Sequence, residues 1–411
     1  MVADFPLASV RERFPSLSEK TICFDNPAGT QLPSSVIDAM GRCARDAYAN
    51  LHGYFSTSKR STEVVDRAHE AAALLLGAKS GEEIALGSSM TELTYHMSRS
   101  LGRMFSRGDE ILITTMDHEG NVSPWLQAAE DFGLVVRWLP FDMDSWRVEE
   151  DALRLVLSDK TKLLALNYAS NLTGSLNDVS ALARIAKDAG ALVYVDGVQY
   201  APHRMVDVSA LGCDFFVCSA YKFFGPHMGV LWGRGELLDG IPAYRLRCGP
   251  KGAAEKFERG TPQMELQAGL SASVSYLQWL GSELGANAEG RTALEKAFAG
   301  IRSHEESLVS GLLEGLGEIP GIRIYGLSST DDIARRVPTV SFTHDKHPAG
   351  ELAFELARRD VHAWSGHNYA YSMVEQLELE NDGVLRLGLV HYNSSDEVEH
   401  VLKILREICK R

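Results

Sequence analysis

VDGVQYAPHRMVDVSALGCDFFVCSAYKFFGPHMGVLWG, residues 195–233, holds strand-length apolar runs that end on chemically awkward side chains. ALVYVD (191–196) stops at Asp196, and CDFFVCSAYK (213–222) passes through the small Ser219-Ala220 to Lys222. A carboxylate at the end of an apolar, β-rich run is costly unless a cation faces it. A protonated pyridine nitrogen is such a cation. A lysine in a crowded, partly apolar turn has its neutral amine favoured, the form that attacks a carbonyl. Gln199 can then donate to a ring phenolate oxygen and Ser219 to a phosphate. The plainer alternative makes Asp196 a turn cap and Lys222 a solvated loop lysine. For either residue alone that account is preferable; for the pair it is much weaker.

Outward from this stretch, apolar runs alternate with amphipathic helical ones from about residue 60 to 235. The runs are EIALG (83–87), EILITTMDHEG (110–120), LVVRWLPF (134–141), KLLALNYAS (162–170) and GVLWGR (229–234). TELTYHMSRSLGRMF (91–105), WLQAAEDFG (125–133) and VSALARIAKDAG (179–190) supply helices between them. Apolar strands separated by helices indicate an α/β fold with a mostly parallel sheet covered on both faces. Ligands bind such sheets at the carboxyl ends of the strands, where the polar clusters fall. Beyond residue 290 the pattern becomes a long helix, the strand RVPTVSFTH (336–344), the helix GELAFELARRD (350–360), the strand VLRLGLVHY (384–392) and a final helix. The expected division is an N-terminal arm over 1–60 contributing to the small domain, a large domain over 61–290 and a smaller α+β domain over 291–411.

The 411 residues are 45% apolar and 23% charged, with a formal net charge of −14. This is the composition of an ordinary globular protein, and without a basic stretch nucleic acid is not an expected partner. No apolar run approaches the roughly 20 residues that span a bilayer. MVADFPLASVRERF (1–14) lacks the basic and apolar regions of a signal peptide. Cys23, Cys43, Cys213, Cys218, Cys248 and Cys409 show no CxxC spacing. No metal site is expected, and the cytoplasm is the expected compartment.

The segment 195–233 resembles the cofactor-lysine region of class V aminotransferases, the fold-type I pyridoxal-phosphate (PLP) enzymes that include cysteine desulfurases and selenocysteine lyases. The resemblance runs from FDNPAGTQLPSSVI (24–37) to VLRLGLVHYNSSDEVEHVL (384–402) and is strongest to the cysteine desulfurase-like branch. It implies a large, mostly parallel seven-stranded sheet domain plus the smaller α+β domain. Lys222 matches the Schiff-base lysine, Asp196 the pyridine-nitrogen partner and Gln199 the residue near the ring oxygen. Ser219 and Thr91, with Met90 beside it, match the phosphate side; a helix N-terminus presents free N–H groups to anions. Asn171 matches an asparagine near the cofactor. Thr261, in RGTPQ (259–263), matches a threonine that reaches the phosphate of the neighbouring subunit, which implies a homodimer with shared sites. Arg386 matches the clamp on the substrate α-carboxylate, a planar target suited to a guanidinium. Asn26 is expected at the substrate.

Three departures separate the chain from that pattern. In HAWSGHNYAYS (362–372), Tyr369 stands where desulfurases carry the nucleophilic cysteine, and no cysteine lies within thirty residues of it. Persulfide chemistry needs a thiolate. Cys248 is the only cysteine to consider as a displaced substitute. In MDHEGNVSPW (116–125), Glu119 aligns with the histidine that stacks on the ring. Either Glu119 faces the ring, or it faces solvent and His118 has taken that place. Trp364 replaces an arginine, which implies a different preference at the substrate's distal end. The expected activity is therefore lyase or carbon–carbon bond chemistry on a small L-amino acid through a Cβ-activated, enamine-type intermediate. β-Decarboxylation or decarboxylative aldol reaction of aspartate, and β-elimination, are examples. The alternatives are an aminotransferase or epimerase, desulfuration or selenocysteine cleavage without the usual cysteine, and a non-catalytic PLP-binding protein.

Overall fold

The computed structural model describes residues 5–18, 21–285 and 288–410. The N-terminal Met1–Asp4, part of the segment read above for a signal peptide, lies outside them. In chain order the strands are β1 (Ile22–Cys23), β2 (Ile84–Gly87), β3 (Glu110–Thr114), β4 (Val135–Leu139), β5 (Thr161–Asn167), β6 (Leu192–Asp196), β7 (Phe215–Ser219), β8 (Gly229–Gly233), β9 (Ile322–Tyr325), β10 (Thr339–His344), β11 (Val361–His362), β12 (Trp364–Gly366) and β13 (Val384–Gly388).

Seven strands form the large sheet in the order β2-β8-β7-β6-β5-β3-β4, and β8 alone runs antiparallel to its neighbours. Strand side chains alternate between faces, and the core divides accordingly. Leu112, Leu164, Val193, Val195, Phe216 and Val230 pack with the helices Ser56–Leu76, Val179–Asp188 and Met264–Leu284. Ile111, Ile113, Ala165, Tyr194, Val217 and Leu231 pack on the other face with Met90–Gly102 and Ser123–Phe132. Both faces are thus dry, which is why these strands read as continuous apolar runs.

The run 110–120 becomes a strand only as far as Thr114. There the Thr115 N–H makes a last bond to the Leu139 carbonyl at 3.1 Å, and the Thr114 hydroxyl, which donates to Asp117 and accepts from the Met116 N–H at 3.1 Å, holds the chain in a turn. The smaller unit holds the antiparallel sheet β12-β13-β10-β9 and the short parallel pair β1-β11. Helix Gly290–Gly317, 28 residues or about 42 Å, joins the two cores. Leu294, Phe298 and Ile301 belong to the first, and Leu308, Leu312 and Leu316 to the second. The N-terminal segment serves both units: β1 pairs with β11, while helix Ser34–Asp46 packs on Met264–Leu284. Among the described residues, no helix is long and apolar enough to cross a membrane.

Candidate active site

A cavity of about 600 Å³ opens at the carboxyl ends of β5, β6 and β7 and is closed on its far side by β12 and the loop after it. Asp196 is the last residue of β6, buried, and accepts a 2.9 Å bond from the Val198 N–H. Gly197 is required between them, because a Cβ there would lie 1.9 Å from the Phe216 ring. Ser219 ends β7, and the following single turn, Ala220–Lys222, carries the lysine inward. The N-terminal loop pins that turn: the Thr30 N–H and hydroxyl both donate to the Tyr221 carbonyl at 3.0 Å, and the Thr30 hydroxyl accepts from the Phe224 N–H. Phe224 has φ +65°, a left-handed conformation a bulky residue adopts only when its surroundings impose it. The Pro27 carbonyl accepts from Lys222 Nζ and, at 2.8 Å, from Gln199 Nε2.

Helix Met90–Gly102 points its N-terminus at the same cavity, with Ser89, Met90 and Thr91 in the wall. Ser89 caps it by accepting from the Glu92 N–H at 3.0 Å. Strand β8 abuts this helix start so closely that a Cβ on Gly229 would meet the Ser89 carbonyl carbon at 2.3 Å.

The opposite wall is Trp364–Tyr369 from β12 and its loop, with Arg386 from β13 behind it. Two bonds tie this loop across the cavity to the large sheet. Asn171 Nδ2 donates to the Asn368 carbonyl at 2.7 Å, and the Glu119 N–H donates to the Tyr369 carbonyl at 2.8 Å. Arg386, 5% exposed, donates to the Asn171 carbonyl at 2.8 Å. Asn368 and Tyr369 have φ +49° and +59°.

Burial dominates the electrostatics. It pushes Asp196 up to about 6, against the Val198 hydrogen bond and the Lys222 charge. It pushes the Lys222 amine down to about 7, helped by Arg386 and opposed by Asp196 and Asp25. His118 falls to about 3 through burial and the charges of Lys222 and Arg386. Its Nδ1 accepts from the Gly120 N–H at 2.9 Å, which leaves the proton of the neutral ring on Nε2. Behind it the fully buried Asp117, bonded by Thr114 and Asn121, rises to about 8 through burial.

This donor set fits a phosphorylated pyridine aldehyde. Asp196 is a buried acid short of a cation, Lys222 is a buried amine that gives up its proton near pH 7, and a helix N-terminus supplies N–H groups for phosphate. Asn171 Oδ1 is buried without a partner at the cavity wall. Pyridoxal phosphate presents a pyridine nitrogen to the acid, an aldehyde to the amine and a phosphate to the helix start.

The cavity brings together Met90, Thr91, His118, Asn171, Asp196, Gln199, Ser219, Lys222, Trp364, Tyr369 and Arg386. Two expected residues are corrected. Glu119 is absent from the wall, because the turn after Asp117 directs its carboxylate to the Ser123 hydroxyl at 2.5 Å, and His118 takes the cavity position. Asn26 is a buried tie between segments. Its Nδ2 donates to the Cys23 and Gly388 carbonyls, both at 2.8 Å, while its Oδ1 accepts from Tyr392. Thr261 is exposed and lines a second cavity of about 780 Å³. Sequence reasoning missed Asn167, Tyr221 and His367, which also line the site. Asn167 ends β5 as Asp196 ends β6, a signal that was readable.

The aminotransferase class-V family model matches residues 22–401. The aminotransferase-like protein FGM3 of Gibberella zeae is 33% identical, covering 99% of this chain and 99% of that protein. A cysteine desulfurase of Pectobacterium atrosepticum is 32% identical, covering 98% of each. Among solved structures, the apo cysteine desulfurase of Thermococcus onnurineus superposes with a TM-score of 0.89 at 28% identity, covering 100% of both chains. The cysteine desulfurase CsdA of Escherichia coli gives 0.85 at 26%, covering 99% of both.

Proposed function

The chain belongs to the aminotransferase class-V family and is a pyridoxal-phosphate-dependent enzyme; from that premise we propose that it acts on a small L-amino acid and breaks a bond at the β-carbon without a protein thiol. The observation that carries this reading is the outer wall of the cavity. Trp364, Ser365, Gly366, His367, Asn368 and Tyr369 supply rings, a hydroxyl and an amide there, and no cysteine lines the site among the described residues. Cys23, Cys43, Cys213 and Cys218 are buried elsewhere, and Cys248 lies on an exposed loop. Transfer of sulfur to the protein requires a reachable thiolate.

When bound, the cofactor supplies an electron sink conjugated to the amino acid's nitrogen. Asp196 would hold a proton on the cofactor's pyridine nitrogen, a role suited to a buried carboxylate in need of a cationic partner. The neutral Lys222 amine is the base that takes and returns the α-proton, its basicity set near the working pH by burial. Arg386 clamps the α-carboxylate. It is fixed on β13, buried, and donates to the Asn171 carbonyl through Nη1. His118, neutral across the physiological range, offers Nε2–H without adding charge. We further propose a homodimer in which Thr261, exposed and away from its own cavity, serves the partner's phosphate. The six free cysteines fit a cytoplasmic protein.

The test is absorbance of the PLP-loaded protein through a panel of L-amino acids, followed by product analysis. A spectral change with carbon dioxide release from aspartate, or release of another β-substituent, is expected. Accumulation of a keto acid with pyridoxamine phosphate would replace lyase by transaminase. An inverted α-centre would mean epimerisation. Alanine and sulfide formed from cysteine by protein carrying Cys248→Ser would refute the argument from the outer wall, whereas sulfide with pyruvate and ammonia would be β-elimination and support it. A bound cofactor indifferent to every amino acid would make the protein a binder.

A further inference from the structure

Outside the cavity, the first strand and the edge of the small domain bring a thiol, a carboxylate and an imidazole together. Cys23 and Asp25 are two residues apart in extended chain, so they share a face. Parallel pairing of β1 with β11 sets His362 directly beside Cys23. The Cys23 sulfur, one Asp25 oxygen and one His362 nitrogen all lie within 4.8 Å of one another.

We propose that Cys23, Asp25 and His362 form a binding site for a borderline-soft divalent cation, zinc foremost, with its fourth position open to solvent beside His362. The ligand set is mixed sulfur, nitrogen and oxygen, the combination zinc accepts and magnesium or calcium do not. Zinc bonds of about 2.0–2.3 Å place tetrahedral ligands roughly 3.5 Å apart, a contraction that small side-chain rotations supply. Asp25 Oδ1 is buried with no hydrogen-bond partner, and such an orphan calls for a water or an ion. His362 is exposed, and its imidazole makes no hydrogen bond or ring contact among the described residues, so its nitrogen is free and an entry path exists. Burial and the nearby Asp25 and Glu397 charges hold the Cys23 thiol protonated, with Arg11 opposing them. A dication replacing that proton would pair the thiolate and the Asp25 carboxylate at once. The site is also linked to the cavity, because Asp25 favours the charged forms of both Lys222 and Arg386.

The experiment is calorimetric titration of Zn²⁺ into reduced, PLP-loaded protein carrying Cys248→Ser, with zinc K-edge absorption on the complex. One equivalent per chain with a single sulfur neighbour at about 2.3 Å is expected. Cys23→Ser should remove the sulfur neighbour. His362→Ala, an exposed change that leaves folding intact, should weaken binding by about tenfold or more, the least lost when even an outer partner is removed. No binding, binding without sulfur, or equal affinity in His362→Ala would overturn the proposal.

Discussion

The two ends of the cavity are built by different means. The inner end sits on strand termini of a sheet covered on both faces, and there burial sets the chemistry: Asp196 rises to about 6 and Lys222 falls to about 7. The outer end is a loop in which Trp364 is 53% and Tyr369 63% exposed, held by two bonds to backbone carbonyls and by left-handed residues. Proton-transfer groups need a fixed, dry setting, whereas groups that sort side chains need only a shape. On the proposed reading, chemistry belongs to the sheet and selectivity to the loop.

The sharpest way to break that contrast is Lys222→Ala. It should eliminate the visible absorbance of covalently held cofactor and lower turnover by about 10³-fold or more. Turnover near the parent rate would put the base elsewhere.

A second prediction concerns the apoprotein. Between about pH 7, where the folded Lys222 titrates, and its ordinary 10.5, the unfolded chain carries one more proton, so stability rises with pH across that window. Below it the burial penalty is fully present. Lys222→Met should therefore stabilise the apoprotein at pH 7 by a few kcal/mol, since each pH unit of that window is worth about 1.4 kcal/mol, and the advantage should fade towards pH 10. Urea denaturation at several pH values measures it; a constant difference would contradict the buried-amine account.

Arg386→Ala comes third. Loss of a charge-assisted carboxylate contact of about 1.5–3 kcal/mol should weaken amino-acid binding roughly 10–100-fold, read from the spectral titration, with cofactor retained. Unchanged binding would remove the clamp. The smallest effect belongs to the loop. Tyr369→Gly relieves a left-handed backbone, so stability should hold or rise by up to about 1 kcal/mol in thermal denaturation. The ranking of amino-acid substrates should change, and an unchanged ranking would mean that the loop does not select.

Most of the inner end was legible because strand-length apolar runs point to their own polar termini. Asp196 and Ser219 end β6 and β7, and Lys222 follows one turn later. The seven-stranded sheet was legible for the same reason. The choice between Glu119 and His118 was not legible, because it depends on the turn that the Thr114 hydroxyl sets with Asp117 and the Met116 N–H. Asn26 was recognisable as a motif residue, but no pattern distinguishes an amide bonding two segments from one facing a ligand. The Pro27 carbonyl left no trace at all, since a backbone acceptor has no side chain to read.

That carbonyl has a mechanical consequence. The residues just before it are stitched to the small domain, through β1 on β11 and through Gly388, whose N–H donates to the Phe24 carbonyl at 2.7 Å. Pro27 itself is fastened to Lys222 and Gln199. Any swing of the small domain against the large one must either drag the amine along or snap one of these tethers. Rigid-body movement and the freedom of a single nitrogen are thus geared to each other by the short stretch of chain from Cys23 to Pro27.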